Sequence, residues 1–403
     1  MLIRFEVSNF RSILAPVELS MVAIDRDRPE ARAMPSLGES LLPIAAVYGP
    51  NASGKSNVVA ALTWLRTAVA ESLRFWEDEI PVEPFAFEDG PRRPTEFTVE
   101  STIDGVRFEY TVEIDRQAVR YEGLFHYPEK KRRRVFEREG DKIQFQRGLG
   151  SLSGTRELLT PHTLALSVVR RFAEPVVTEF ARDLVAGQTL GPQQPWFSSA
   201  GPPILTTLRF FGPDDVVPEV RARALALVRL ADLGIDDVLI DTVEDGGAQR
   251  RVRLVHRATS GREPLDFAVE SEGTRTWFRL VGPVLKALAA GSVLLFDELD
   301  ASLHPTLSTQ LLRLFHDPAT NPAGAQLIFT SHDTSLLNHL NRDEVWLTEK
   351  GDDGATRLGA LADFAGERVR RSQNLEKAYL HGRFGALPDV DRADMLRALG
   401  LIG

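Results

Sequence analysis

Two kinds of hydrophobic pattern alternate along this 403-residue chain. Apolar runs at 44–48, 238–240, 292–296, 326–330 and 344–347 are short and continuous, and stretches of helical periodicity separate the later ones. Strands that are buried on both faces of a parallel sheet have this continuous character. The pattern therefore predicts an α/β fold with a doubly wound parallel core sheet.

A second pattern, in which apolar and polar residues alternate, occupies other segments. Residues 2–12 and 16–23 alternate in this way, and the polar, proline-containing stretch at 25–40 is predicted to be a loop. Between residues 81 and 145, alternating runs are separated by Asp-Gly and Pro-Glu-Lys turn signals. We expect a strand pair at the start of the fold and an antiparallel meander later.

The middle of the chain is helical in period. Residues 158–190 and 216–233 carry this periodicity, and a Gly/Pro-rich gap at 191–203 separates them. We interpret this part as a lobe inserted into a domain that is split in sequence. The predicted division is a split α/β domain at 1–80 and 235–403, an attached antiparallel β meander at 81–150, and a mainly helical lobe at 151–234.

The composition limits the possible functions. The net charge is −9, so a nucleic acid would have to bind a local basic patch or a partner. The chain has no cysteine, which excludes disulfides, thiolate metal sites and cysteine nucleophiles. No apolar run approaches the roughly 18 residues that cross a bilayer, and the first ten residues lack the hydrophobic region of a signal peptide. We therefore expect no membrane contact and a cytoplasmic protein.

The octet GPNASGKS, residues 49–56, fits the pattern G-x-x-x-x-G-K-[ST] at every fixed position. It lies between an apolar run and a stretch with helical spacing, which is the context that a phosphate-binding loop requires. Its glycines allow successive backbone N–H groups to face one point, and the following helix adds its partial positive charge there. Lys55 would reach the β- and γ-phosphates, and the Ser56 hydroxyl would bind Mg²⁺.

Acidic residues follow the apolar run at 292–296. Asp297 suits a Mg²⁺ ligand, and Glu298, which points elsewhere, could polarise an attacking water. His332 follows the run at 326–330 and could hydrogen-bond the γ-phosphate, although a histidine there is more often structural. Asp300 would face a second subunit, or it could cap a helix together with Ser302.

Three weaker signals lie elsewhere. Ser271 and Gly273 precede a helical stretch and could form an anion site, although Ser and Gly begin many helices. The basic run Lys130-Lys131-Arg132-Arg133-Arg134 could contact DNA or RNA, but charge runs in hairpin turns are usually solvated. The segment 375–385, which contains Tyr379, Arg383 and Phe384, could anchor a partner or could equally cap the fold.

The motifs occur in a recognisable order. GPNASGKS, the SEG element at 271–273, LLFDELDASLHP and FTSHD resemble the Walker A, signature, Walker B, D-loop and switch-histidine series of ABC-class ATPases. The opening NFRS and the Lys-Ser-Asn that ends the loop are similar to the SMC, RecF and OLD branch. PTEFTVESTIDGVRFEYTVEID, LTPHTLALS and LEKAYLHGRFGALP resemble the stand-alone ATPases of bacterial defence and abortive-infection loci, which are the RloA-like and AriA-like proteins.

The resemblance implies a site for ATP and Mg²⁺. Glu298, His332 and Lys55 would be catalytic, Ser56 and Asp297 would bind the metal, and Ser271 and Gly273 would close on ATP held by the opposite subunit. The signature is poorer in glycine than usual, and EPFAFEDG, after the first helix, offers no Q-loop glutamine. The full set of implied nucleotide contacts is Arg11, Asn51, Ala52, Ser53, Gly54, Lys55, Ser56, Asn57, Ser271, Gly273 and Asp300.

Four functions compete. The favoured one is a switch ATPase that forms a homodimer or higher oligomer around ATP and controls an effector, such as a Toprim-type or RloB-type nuclease, in antiphage defence. The alternative is a RecF/SMC-like repair ATPase that binds DNA directly, which the acidic charge and the missing coiled coil disfavour. A self-contained OLD nuclease would need a Glu plus Asp-x-Asp cluster after His332, and a non-hydrolysing scaffold would normally have lost Lys55 or Glu298.

Overall fold

The computed structural model of the protein describes residues 1–172, 174–193, 202–212, 217–244, 248–365 and 375–380. The strands in these ranges are β1 Leu2–Ser8, β2 Val17–Ser20, β3 Arg32–Met34, β4 Glu39–Leu41, β5 Ile44–Tyr48, β6 Thr95–Ile103, β7 Val106–Ile114, β8 Val119–His126, β9 Arg133–Glu139, β10 Lys142–Phe145, β11 Gln188–Leu190, β12 Ile235–Glu244, β13 Ala248–Ala258, β14 Gly261–Asp266, β15 Val293–Phe296, β16 Gln326–Thr330, β17 Val345–Lys350 and β18 Thr356–Ala360.

The α-helices of the described residues fall mainly after the meander. They are α1 Lys55–Phe75, α2 Ala165–Val169, α3 Pro175–Ala186, α4 Pro203–Leu208, α5 Pro218–Ala231, α6 Glu272–Ala290, α7 Leu299–Ser302, α8 Pro305–His316, α9 Leu361–Ala365 and α10 Leu375–Leu380. Short 3-10 turns lie at Gly90–Arg92, Pro128–Lys130, Gly150–Leu158, Phe267–Val269 and Thr334–His339.

A six-stranded sheet in the order β11-β15-β16-β5-β17-β18 forms the centre of the molecule, and only its β17–β18 pair is antiparallel. All five residues of β5 are buried. Ala45 and Val47 belong to the core that contains α1, whereas Ile44, Ala46 and Tyr48 belong to the core that contains α6 and α8. Because side chains alternate along a strand, apolar residues are needed at every position of β5.

A seven-stranded antiparallel sheet in the order β10-β9-β8-β7-β6-β1-β2 covers α1 from the other side. Buried residues on its inner face alternate along the strand with less buried residues on its outer face, as in β7. The ring of Phe97 stacks on that of Trp64 in α1, with the ring centroids 5.0 Å apart. The strand pair and the meander therefore form one sheet. The predicted combination of a parallel core sheet with an antiparallel β part is confirmed.

Three predictions of local structure are wrong. The run at 238–240 lies in β12, which pairs antiparallel with β13 in a separate three-stranded sheet instead of joining the parallel core. Residues 188–190 form β11 rather than the end of a helix, and the predicted loop at 25–40 contains the β3–β4 hairpin. Short runs of two or three apolar residues do not distinguish these alternatives, because long-range pairing decides them.

The predicted helical lobe contacts the core in several places. α4 lies so close to α6 that a Cβ on Gly282 would lie 2.3 Å from the backbone nitrogen of Thr207. The indole Nε1 of Trp277 in α6 donates a hydrogen bond to the carbonyl of Leu227 in α5, at 2.6 Å. The domain boundaries remain a prediction. In the described ranges, no helix has the length and apolar character that a membrane crossing requires.

Candidate functional site

The octet forms the turn between β5 and α1. Gly49, Ala52 and Gly54 have φ values of 152°, 62° and 101°, so the turn uses backbone conformations that favour glycine at two of these positions. The ammonium of Lys55 folds back onto the loop and donates to the carbonyls of Gly49 and Pro50, both at 3.0 Å. The loop therefore has the curled shape that a phosphate cradle requires.

Strands β17 and β18 pack closely against this loop. A Cβ on Gly54 would lie 2.0 Å from the hydroxyl of Thr356, and a Cβ on Gly49 would lie 2.3 Å from that of Thr348. The Ser53 hydroxyl lies 2.6 Å from Thr348 Oγ1, and Thr356 Oγ1 donates to the Ser53 carbonyl at 2.9 Å. Strands β17 and β18 thus fix the cradle from the side.

The NFRS element reaches the same place through Ser12. Its hydroxyl accepts a hydrogen bond from Asn57 Nδ2 at 2.6 Å and lies 2.7 Å from Thr356 Oγ1. Ser56 is half-buried in the first turn of α1, and Asn51 and Ala52 are exposed. Exposed loop residues leave the face of the cradle open to a ligand.

Asp297 directly follows β15 and is completely buried. Its Oδ1 accepts a hydrogen bond from Thr330 Oγ1 at 2.7 Å, whereas Oδ2 is buried without a hydrogen-bond partner among the described residues. A buried carboxylate oxygen without a partner is costly. A hard cation such as Mg²⁺ prefers carboxylate oxygens, so Asp297 fits the predicted metal ligand.

The same threonine also positions Glu298. Thr330 Oγ1 accepts a hydrogen bond from the Glu298 backbone N–H at 2.8 Å, and Glu298 has a left-handed backbone with φ 56°. This conformation is unusual for a residue other than glycine, and its strain is typical of functional sites. Glu298 is half-buried, whereas Asp297 is completely buried.

The cradle and the acidic strand lie close enough to interact electrostatically. Burial lowers the pKa of the Lys55 ammonium from its ordinary value, and the carboxylates of Asp300, Asp297 and Glu298 oppose this shift. The topology explains the proximity, because β5, β16 and β15 are adjacent parallel strands whose carboxyl ends meet at one edge.

Asp300 and His332 are also brought together. Asp300 Oδ1 accepts a hydrogen bond from the backbone N–H of His332 at 3.0 Å, and the His332 side chain is exposed. The N-cap of α7 is Glu298, so Asp300 does not cap this helix and lies in its first turn. A hydrogen bond within one chain therefore connects the segment after β15 with the segment after β16.

Sequence reasoning found no candidate for a Q-loop glutamine, and the structure offers Gln193. It lies three residues after β11, whose Leu190 carbonyl accepts the backbone N–H of Asp297 at 3.0 Å. Gln193 Oε1 accepts a hydrogen bond from Arg11 Nη1 at 3.1 Å, and Arg11 also contacts Glu83 through Nε, at 3.1 Å. Recognising β11 as a strand would have identified this glutamine.

Ser271 and Gly273 lie at the start of α6, which leads directly into β15. Ser271 is the N-cap, and its hydroxyl accepts the backbone N–H of Thr274 at 3.1 Å. Both candidates are exposed, and no hydrogen bond among the described residues joins them to the cradle of the same chain. Their exposed helix terminus is free to meet another surface.

The basic run and the C-terminal segment lie outside this cluster. Arg132, Arg133 and Arg134 pair with Glu109, Glu129 and Glu137 at 2.9, 3.9 and 3.1 Å, whereas Lys130 and Lys131 are exposed. These three carboxylates offset most of the local positive charge.

In α10, the ring of Tyr379 lies 6.2 Å from that of Tyr48, the last residue of β5. Glu376 accepts a hydrogen bond from Asn338 Nδ2 at 2.7 Å. Arg383 and Phe384 lie outside the described residues. The described part of this segment therefore packs on the fold beside the cradle strand.

Comparison with known proteins gives a family and a set of similar folds. The model of the family described as "AAA domain, putative AbiEii toxin, Type IV TA system" matches residues 44–338. This match confirms the recognition of an AAA-type ATPase of the abortive-infection kind. No curated protein matches the chain.

Among solved structures, the chain is similar to three SMC heads. The SmcHead bound to the C-winged helix domain of ScpA has a TM-score of 0.46 and 13% identity, covering 89% of this chain and 97% of that one. The SMC head domain from Thermotoga maritima has a TM-score of 0.43 and 12% identity, and the match covers 89% of this chain and 98% of that one. The third is the Smc head domain with an extended coiled coil bound to the C-terminal domain of ScpA, derived from Pyrococcus furiosus. It has a TM-score of 0.42 and 12% identity, and the match covers 94% of this chain and 98% of that one.

We predict that Gly54→Ala abolishes nucleotide binding and lowers stability. The new methyl group would meet Thr356 at a position whose φ is 101°. Gly38→Ala is the matched control, because Gly38 has φ 74° but open space around its Cβ. The control should cost only the backbone term of about 1–2 kcal/mol. Urea unfolding and titration with a fluorescent ATP analogue measure both effects, and equal losses in the two variants would contradict the prediction.

We also predict that Thr330→Val destabilises the protein by about 1–3 kcal/mol, because it leaves the Asp297 carboxylate and the Glu298 N–H without their partner. Thr330→Ser keeps the hydroxyl and should retain most of the stability. Urea unfolding measures stability, and nucleotide titration with and without Mg²⁺ measures the metal dependence of binding. Serine and valine variants that behave alike would show that the hydroxyl has no such role.

Proposed function

The chain belongs to this family of AAA domains, and we propose that it is a Mg²⁺-dependent switch ATPase that closes head-to-tail around ATP and controls an effector. The observation that carries the proposal is that the Lys55 loop, which follows β5, and the pair Asp297 and Glu298, which follows β15, lie at the same carboxyl edge of the parallel sheet. A cationic cradle beside a buried carboxylate is the arrangement that phosphoryl transfer to water requires.

Each residue has a role in the proposed reaction. The cradle of residues 49–56 holds the β- and γ-phosphates through its backbone N–H groups and Lys55. Ser56 and Asp297 would hold Mg²⁺, which neutralises charge on the phosphate oxygens when bound. Glu298 accepts a proton from the attacking water. The Gln193 side chain, three residues after β11, takes the place of the missing Q-loop residue.

The proposed dimer places a second chain over the open face of the cradle. Three observations support it: Asn51 and Ala52 of the cradle are exposed, the Ser271–Gly273 terminus is exposed elsewhere on the same chain, and the terminus carries the partial positive charge of a 19-residue helix. In a dimer with a two-fold axis, the Ser271–Gly273 terminus of each copy can contact the cradle of the other. Asp300, which holds the His332 backbone, would then transmit closure to that histidine.

The effector and the defence role are proposed from resemblance. The motif segments resemble ATPases of abortive-infection loci, and the description of the matched family names a toxin of a type IV system. We propose a partner such as a Toprim-type or RloB-type nuclease, which the ATP-bound dimer would hold in one state and release after hydrolysis.

We predict that Glu298→Gln retains ATP binding and lowers turnover by about 100-fold or more, because the amide cannot accept the proton from water. Steady-state phosphate release and ATP titration measure the two effects separately. Glu349→Gln is a control, since this residue lies in β17 at position five of the six-residue strand and has no place in the proposed chemistry. Undiminished hydrolysis in Glu298→Gln would remove Glu298 from its assigned role.

The alternative is a repair-type ATPase that binds DNA directly. The exposed pair Lys130 and Lys131 favours it, whereas the carboxylate partners of the three arginines that follow argue against a strong phosphate site. The net charge of −9 also disfavours general attraction to a polyanion.

We predict that the pure protein shows no salt-sensitive binding to duplex DNA, with or without ATP. A gel-shift titration at two salt concentrations checks this. Binding that weakens with salt and is lost in a Lys130→Ala/Lys131→Ala double variant would favour the repair-type function instead.

A further inference from the structure

Glu270, the residue directly before the signature serine, has a buried carboxylate. Its side chain is 5% exposed, and its Oε1 lies 2.6 Å from Nε2 of His256. A carboxylate accepts hydrogen bonds, so the imidazole Nε2 is the donor of this short contact. A buried carboxylate this close to a single ring nitrogen fixes the backbone at position 270 relative to β13.

His256 lies in β13, the central strand of the three-stranded sheet. In β13 it stands opposite Ile235 of β12 and Glu263 of β14. Its Nδ1 lies 3.7 Å from the Asp232 carboxylate, in the turn before β12. The imidazole therefore links the three-stranded sheet to the chain that enters α6.

The residues that follow Glu270 have much looser surroundings. Ser271, Glu272 and Gly273 are all exposed, and a Cβ on Gly273 would meet only the Ser271 hydroxyl, at 4.0 Å. Arg275 reaches back to the Ala268 carbonyl at 3.3 Å on the exposed side. Within the described residues, the half-buried hydrogen bond between His256 and Glu270 immediately precedes the signature.

We propose that His256 and Glu270 are positioning residues that hold the Ser271–Gly273 terminus in the orientation needed to meet ATP on the opposite subunit. This inference rests on the proposed head-to-tail dimer. Neither residue touches the nucleotide; they act through the backbone of Ser271 and the first turn of α6. Geometry matters here, because misplacement of a binding group by about 1 Å can cost 100-fold in rate.

The two variants that separate a positioning role from a packing role are His256→Gln and His256→Asn. Glutamine places an amide donor close to the position of Nε2, whereas asparagine is too short to reach Glu270. Both variants remove the ring. Glu263→Gln is the control on the neighbouring strand, because Glu263 is exposed and faces Ser260 instead of the signature.

The measurement is ATPase activity per molecule over a range of protein concentrations, together with ATP binding by dilute protein. We expect wild type, Glu263→Gln and His256→Gln to reach half-maximal activity at similar concentrations. His256→Asn should need about tenfold more protein or lose activity, with unchanged ATP binding by the dilute chain. Glu270→Gln, which weakens the charged acceptor, should lie between them.

Three results would overturn the inference, and they are distinguishable. If wild-type activity per molecule does not depend on protein concentration, the proposed dimer fails and the positioning role fails with it. If the wild type does show this dependence and His256→Asn follows the same curve, the dimer stands and only the role of His256 is refuted. Equal losses in the glutamine and asparagine variants would assign the ring to packing instead.

Discussion

The carboxylate of Asp297 is completely buried at the end of β15, and this burial constrains everything around it. An anion removed from water must be compensated by donors or cations. Thr330 at the end of β16 donates to one oxygen, the Leu190 carbonyl of β11 holds the backbone, and the Lys55 ammonium from α1 contributes its charge. The parallel strands β11, β15 and β16 must therefore be in register, and α1 must be in place, before the carboxylate is tolerable. This requirement explains why the site lies at the carboxyl edge of the central sheet.

The parts of the fold that are buried on both faces could be predicted from the sequence. β5, β15, β16 and β17 are apolar runs because residues on both sides of the sheet meet helices, and that requirement leaves a local signature. β11 leaves none, since its three residues, Gln188–Leu190, occupy an edge of the sheet. The run inside β12 resembled a core strand because three apolar residues suit either kind of sheet, and pairing with β13 decided the outcome.

The candidate site shows the same division. Lys55, Ser56, Asp297 and Glu298 stand in local motifs, so their chemistry was visible in the sequence. The contacts that support the cradle join residues about 300 positions apart, such as Thr356 with Ser12 or Ser53, and no local pattern predicts such pairs. Gln193 was missed for a related reason, because its placement follows from a strand that the sequence did not reveal.

The position of β5 has a consequence for the synthesis of the protein. Both of its neighbours in the sheet, β16 and β17, come from residues 326–350. Buried backbone groups need hydrogen-bond partners, so the strand that leads into the phosphate loop has none of its own sheet partners while the ribosome is still making the middle of the chain. The nucleotide pocket can therefore form only late in translation. Until residue 350 has left the ribosome, β5 lacks its sheet partners in the nascent chain and is exposed to aggregation.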